Sequence, residues 1–87
     1  MKIENVKIYV VCDRVANTCG DLVVKSNDEV ALRWFKWLCT KLTDVQPCDL
    51  DLYCVGACSP DTGAIIEAYE RPQFLINGGN LYEEKTE

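Results

Sequence analysis

The run from Ser26 to Leu42, SNDEVALRWFKWLCTKL, limits what this chain can fold into more than any other stretch. It reads as the single long helix. Ser26 followed three residues later by Glu29 has the form of a capping box, in which each side chain satisfies an orphaned backbone N–H. Asp28 and Glu29 put negative charge at the positive end of the helix dipole, and Lys41 puts positive charge at the other. Glu29 and Arg33 form a favourable i,i+4 pair. At about 100° per residue, Ala31, Trp34, Phe35, Leu38 and Leu42 share one face, with Glu29, Arg33, Lys36 and Thr40 opposite. Val30 and Trp37 widen the apolar stripe on one flank, Leu32 and Cys39 on the other. The arc covers roughly 220°, against the roughly 100° that one sheet contact requires. Ala31, Trp34, Leu38 and Leu42 suffice for an internal core, so Val30 and Trp37 are left over, and Trp37 is expected to cover a sheet edge or sit in an oligomer interface.

A helix of this kind needs a sheet to lie on, and the flanking residues supply one. Val6–Cys12 alternates as a strand with Val6, Ile8, Val10 and Cys12 on one face and Lys7, Tyr9 and Val11 on the other. The segment 13–20 breaks the pattern and ends on Gly20, as a turn does, and residues 21–25 return as a short second strand. Pro47 closes the helical region. Leu50–Ala57 alternates most clearly, with Leu50, Leu52 and Cys54 opposed to Asp51, Tyr53 and Val55. Ser59-Pro60-Asp61-Thr62-Gly63 has turn chemistry, and Ala64–Tyr69 returns as the hairpin partner. Arg71–Ile76 reads as a short edge strand, because Pro72 confines it to an edge or a strand start. The expected fold is α+β: a small, mainly antiparallel sheet of four to five strands, in the order β-β-α-β-β, with one amphipathic helix on one face. Residues 1–76 are expected to form one compact domain and 77–87 a mobile acidic tail.

At 87 residues the chain forms one domain with a thin stability margin, and oligomerisation would supplement it. No apolar run approaches the ~20 residues of a membrane-spanning helix, so no membrane partner is expected. The start, Met1-Lys2-Ile3-Glu4-Asn5, lacks the apolar region of a signal peptide, which predicts an intracellular protein. The formal charge of −5, with the basic residues dispersed, disfavours a surface that tracks phosphates. There is no histidine, which removes the commonest general base and zinc nitrogen ligand.

The ordered set of motifs now in view has a counterpart. A strand ends in Asp13-Arg14-Val15-Ala16. A helix start follows as Lys25-Ser26-Asn27-Asp28-Glu29-Val30-Ala31-Leu32-Arg33-Trp34-Phe35, and then come Leu52-Tyr53-Cys54-Val55-Gly56 and Asp61-Thr62-Gly63. Together these resemble the small nonstructural protein of gokushoviruses, the single-stranded DNA phages of the Microviridae, over most of Tyr9 to Ile66. Ser26 interrupts the Lys-Asn-Asp wording of that pattern, and the cysteine count is high for it. The resemblance implies a nonenzymatic accessory protein in the host bacterial cytoplasm, assisting replication or packaging of a single-stranded genome. It supplies no catalytic residues and no cofactor.

Six cysteines without an export signal are expected to be free, small, buried hydrophobes in a reducing compartment. Cys19 and Cys48, in loops, are the candidates for reactive or pairing thiols. No C-x-x-C spacing occurs, so no metal site is expected, and Cys54 and Cys58 would lie about 13 Å apart on a regular strand. Thiols without an imidazole make poor nucleophiles, so catalysis is not expected.

Two roles from different classes remain. In the first, the chain works through protein contacts: a homo-oligomer, with a dimer favoured, plus a phage replication, packaging or host protein. The candidate interface is Val30, Trp37, Val11, Val55 and Ile65, because exposed apolar patches mark association. In the second, Tyr9, Tyr53 and Tyr69 form a stacking platform for single-stranded DNA on the sheet face away from the helix. The net charge weighs against that alternative.

Overall fold

The computed structural model describes residues 5–83, and the side chains of residues 5–80. Along the chain lie β1 (Val6–Asp13), β2 (Thr18–Cys19), β3 (Val23–Lys25) and α1 (Asp28–Lys41). A single 3-10 turn (Pro47–Asp49), β4 (Leu50–Cys58), β5 (Ile65–Asn77) and α2 (Gly78–Glu83) complete it. All strand pairings are antiparallel, in the order β2-β1-β4-β5, and β3 joins the same edge of β1 as β2. This is the α+β plan read from the pattern, with β2 added as a two-residue return inside the 13–20 turn.

Helix α1 starts one residue later than a Ser26 cap would place it. Asn27 is the N-cap: its backbone is extended, and its Oδ1 accepts from Val30 N at 2.9 Å. Ser26 and Asn27 are both good capping types, and the residue whose carbonyl already accepts the first helical bond, from Ala31 N, takes the role. The reciprocal box with Glu29 is therefore out of register. The buried line of the helix is also rotated from the expected one. Ala31, Phe35 and Cys39 are buried, Trp34 and Leu38 flank them, and Leu42 is exposed. A strict i,i+4 line lets the small Ala31 and Cys39 bracket one large ring, so the helix sits close to the sheet.

The core beneath α1 is built from Tyr9, Leu50, Leu52, Cys54 and Ile76, with Val11, Val23 and Tyr69 packed against it. Leu50, Leu52 and Cys54 face the helix as expected. β1 does not: Tyr9 and Val11 face α1, while Ile8 and Val10 turn to the opposite face and are still buried. Register explains this, since Tyr9 stands opposite Cys54, Val10 opposite Tyr53 and Val11 opposite Leu52, after a shift between Ile8 and Tyr9.

The expected hairpin closes at Ser59–Gly63. Ser59 Oγ accepts from Asp61 N and Thr62 N, and Gly63 supplies the left-handed residue at φ 77°. Its return arm is one 13-residue strand, not two. Ala68 pairs with Gly56 and Gln73 with Cys54, so Tyr69 to Pro72 stand opposite Val55 alone. Pro72, which cannot donate to a ladder, lies in that bulge. The stretch read as a tail begins as the end of β5 at Asn77 and the short helix α2; its remainder, 84–87, lies outside the described residues.

Candidate functional site

The two candidate surfaces lie on opposite sides of the molecule. The first is the sheet face away from α1. There Val10 pairs with Tyr53 and Tyr53 with Phe74, and the two rings meet edge to face at 5.8 Å. Phe74 is 54% exposed. Beside them a groove of about 480 Å³ is lined by Arg14, Asn17, Thr18, Asp51, Tyr53 and Pro72, among others.

Charge in this groove is already committed. Arg14 Nε lies 3.6 Å from Asp51 Oδ2, and Asp51 is only 7% exposed. Asn77 Nδ2 also donates to Asp51 Oδ1 at 2.8 Å, to Cys48 O at 2.8 Å and to Leu50 O at 3.2 Å. Its Oδ1 accepts from Gly79 N at 2.9 Å. Asn77 thus ties β5 to the 3-10 turn, β4 and the start of α2. Alternation predicted neither Arg14 nor Asn77 as a structural partner of Asp51, because both contacts are long in sequence.

The stacking platform expected on this face does not assemble. Tyr9 is 0% exposed and lies under α1, where its hydroxyl donates to Asp28 Oδ1 at 2.6 Å. Burial first, then the bond to Asp28 and that carboxylate's charge, push the Tyr9 hydroxyl well above the ordinary tyrosine value. Tyr69 packs against the same core on the helix side. Only Tyr53 of the three lies on the open face. The physical reason is the β1 register: pairing with Cys54 commits Tyr9 to the face that Cys54 occupies.

The second surface is the outer face of α1. Trp37 is 54% exposed, with Lys41 Nζ 5.7 Å from its ring centroid, and Val30 lies about two turns earlier on the same side. Among the described residues Trp37 stands outside the core and keeps more than half its surface open, so it does not close over a sheet edge, which corrects one half of the expectation made for it. The remaining interface candidates do not join this pair. Val11 packs under the helix, Val55 sits in the β4 position opposite the β5 bulge, and Ile65 is 62% exposed at the start of β5.

The cysteines divide three ways. Cys12 and Cys19 stand directly opposite across β1 and β2, with Cα atoms 3.9 Å apart, and form a disulfide. This corrects the reading of all six as free thiols, and the return of β2 onto β1 is what brings them together. Cys39, Cys54 and Cys58 are free and buried, and burial pushes the Cys39 thiol up. Cys48 is free and exposed, as a loop thiol should be. Among the described residues no three His, Cys, Asp or Glu side chains gather into a set that could hold a metal ion. No helix among them is long and apolar enough to cross a membrane.

Comparison with curated proteins and with solved structures gives no significant match. Residues 6–81, which span every strand and α1, match the family model described as phage ORF5 protein. The chain belongs to the phage ORF5 protein family.

Proposed function

We propose that this chain is a nonenzymatic accessory protein of a gokushovirus-type single-stranded DNA phage. It acts in the host cytoplasm through contacts with itself and with a phage or host protein while the genome is replicated or packaged. Membership of the phage ORF5 family supports the phage setting, and the ordered motifs from Asp13 to Gly63 support the finer assignment. One observation carries the protein-contact reading. Among the described residues β5 is the longest strand, the last in the sheet order, and has no strand on its outer side. It exposes Ile65, Ile66 (53%) and Phe74. A long edge with unpaired backbone groups and large apolar side chains is a template for a second strand.

Glu67, Glu70, Arg71 and the bulge at Tyr69–Pro72 interrupt that edge, so pairing is confined to its two ends. Light scattering across a rising concentration series tests self-association, with Ile66→Lys and Phe74→Lys expected to shift the distribution to monomer. A wild-type monomer at high micromolar concentration sinks the self-association part. Pull-down from infected cells tests the partner part, and recovery of no phage or host replication or packaging protein sinks that.

A further inference from the structure

The outer face of α1 differs from the rest of the molecule in charge and in chemistry. Opposite the buried line Ala31–Phe35–Cys39, the helix presents Arg33, Trp37 and Lys41 at successive i,i+4 positions, all exposed. Next to this line Trp34 is half-buried, and Lys25 from β3 lies 5.1 Å from its ring centroid. Three cations and two indoles therefore share one strip of a chain whose formal charge is −5. Among the described residues none of the three cations is in an ion pair. The nearby carboxylates stand at the margins. Asp28 faces the sheet and is held by Tyr9 and Lys7, Glu29 sits at the helix start, Asp21 lies across a groove from Trp34, and Asp44 follows the helix end.

We infer that this strip is a contact surface for single-stranded nucleic acid. Bare bases offer π-faces to indoles, and the phosphates between them meet lysine and arginine. An acidic protein surface would answer the cations and leave both indoles without a ring partner. Duplex DNA would answer the cations while keeping its bases stacked away. From Arg33 to Lys41 the strip runs about 12 Å along the axis, enough for roughly three nucleotides at a stacked spacing of about 3.4 Å. So short a contact is weak in one copy. In a chain of formal charge −5, phosphates are drawn to this cationic strip in preference to the rest of the surface.

Both of the chain's tryptophans lie in the strip, so indole emission reads this face alone. The test is titration of the whole protein with a thymidine 12-mer, followed by fluorescence quenching at several salt concentrations. Quenching is expected at low salt, and log K should fall with log[salt] at a slope of about −2, which is three cations at about 0.7 each. Trp37→Ala should weaken binding by about 5- to 150-fold, and Lys41→Ala should make the slope shallower by about 0.7. Both side chains are exposed, so circular dichroism of the variants should match wild type. Tyr53→Ala, on the far face, should bind as wild type does. Three outcomes overturn the inference: no quenching at low salt, equal quenching by duplex DNA or by polyglutamate, or unchanged binding in a folded Trp37→Ala variant.

Discussion

The Tyr9 hydroxyl donates to Asp28 Oδ1 at 2.6 Å, joining the middle of β1 to the first residue of α1. Lys7 Nζ approaches the same oxygen at 3.5 Å. One carboxylate thus complements the helix dipole, satisfies a buried phenol and balances a lysine. Tyr9→Phe removes the charged-acceptor bond but leaves Asp28 its lysine, so the cost should sit near about 1.5 kcal/mol. For a domain of this size that is a fall in Tm of roughly 6–12 °C, measurable by a thermal melt.

The same hydroxyl sets an alkaline limit. Its folded-state pKa is raised above the ordinary 10.0, chiefly by burial. Below that value both folded and unfolded chains hold the proton, and the stability it contributes is fully present. Above it the unfolded chain releases the proton while the folded one keeps it, so stability falls by up to about 1.4 kcal/mol per pH unit. Denaturant melts between pH 8 and pH 11, compared for wild type and Tyr9→Phe, should show a steeper alkaline loss in wild type. Parallel curves would remove Tyr9 as the cause.

Tyr9 also shows where the sequence stops being legible. Both faces of β1 are largely apolar, so alternation could not say which one the helix covers. The deciding facts are its pairing with Cys54 and a hydroxyl partner nineteen residues away. β4 was legible because Asp51 and Tyr53 alternate with Leu50, Leu52 and Cys54, and only one of those faces is consistently apolar. The hairpin was legible through Ser59–Gly63, whose residues carry their own turn geometry. The two strands read at Ala64–Tyr69 and Arg71–Ile76 are the two arms of β5 on either side of its bulge. Trp37 was legible as an indole in surplus of the core, but the lysines beside both tryptophans depend on side-chain packing.

Which residue caps α1 is directly testable. Asn27 Oδ1 holds Val30 N at 2.9 Å. Asn27→Ala should therefore cost about 0.5–2 kcal/mol. Ser26→Ala should cost almost nothing. A larger loss in Ser26→Ala than in Asn27→Ala, read from denaturant midpoints, would return the cap to Ser26.

Gly56 sits where β4 and β5 press closest. A Cβ there would meet the Glu67 carbonyl oxygen, with Ala68 Cα only 3.3 Å away. Both neighbours are backbone, so neither can swing aside, and the hairpin would have to open at the Gly56–Ala68 pair. Gly56→Ala should cost about 1–3 kcal/mol, as overpacking does. Faster amide exchange along β5 than along α1 would locate the damage in the hairpin.

The Cys12–Cys19 bridge closes a loop with a sequence separation of 7 around Arg14–Thr18. Asp13 already organises that loop, its Oδ1 accepting from Val15 N at 2.9 Å and from Ala16 N at 3.1 Å. Asn17 donates back to Asp13 O at 2.8 Å and takes φ 61°. β2 nevertheless pairs with β1 through only two residue pairs, Cys12–Cys19 and Asp13–Thr18, so the bridge supplies much of what keeps it there. For so short a loop the chain-entropy contribution is about 2 kcal/mol. Paired Cys12→Ser and Cys19→Ser substitution should lower stability by about that amount while leaving α1 and the β4–β5 hairpin intact by amide exchange. Reducing agent should reproduce the effect in wild type and have none on the double variant. Equal stability with and without reductant would mean that the return of β2 stands without the bridge, held by the Asp13 and Asn17 turn and by backbone bonds such as Gly20 N to Val11 O at 2.9 Å.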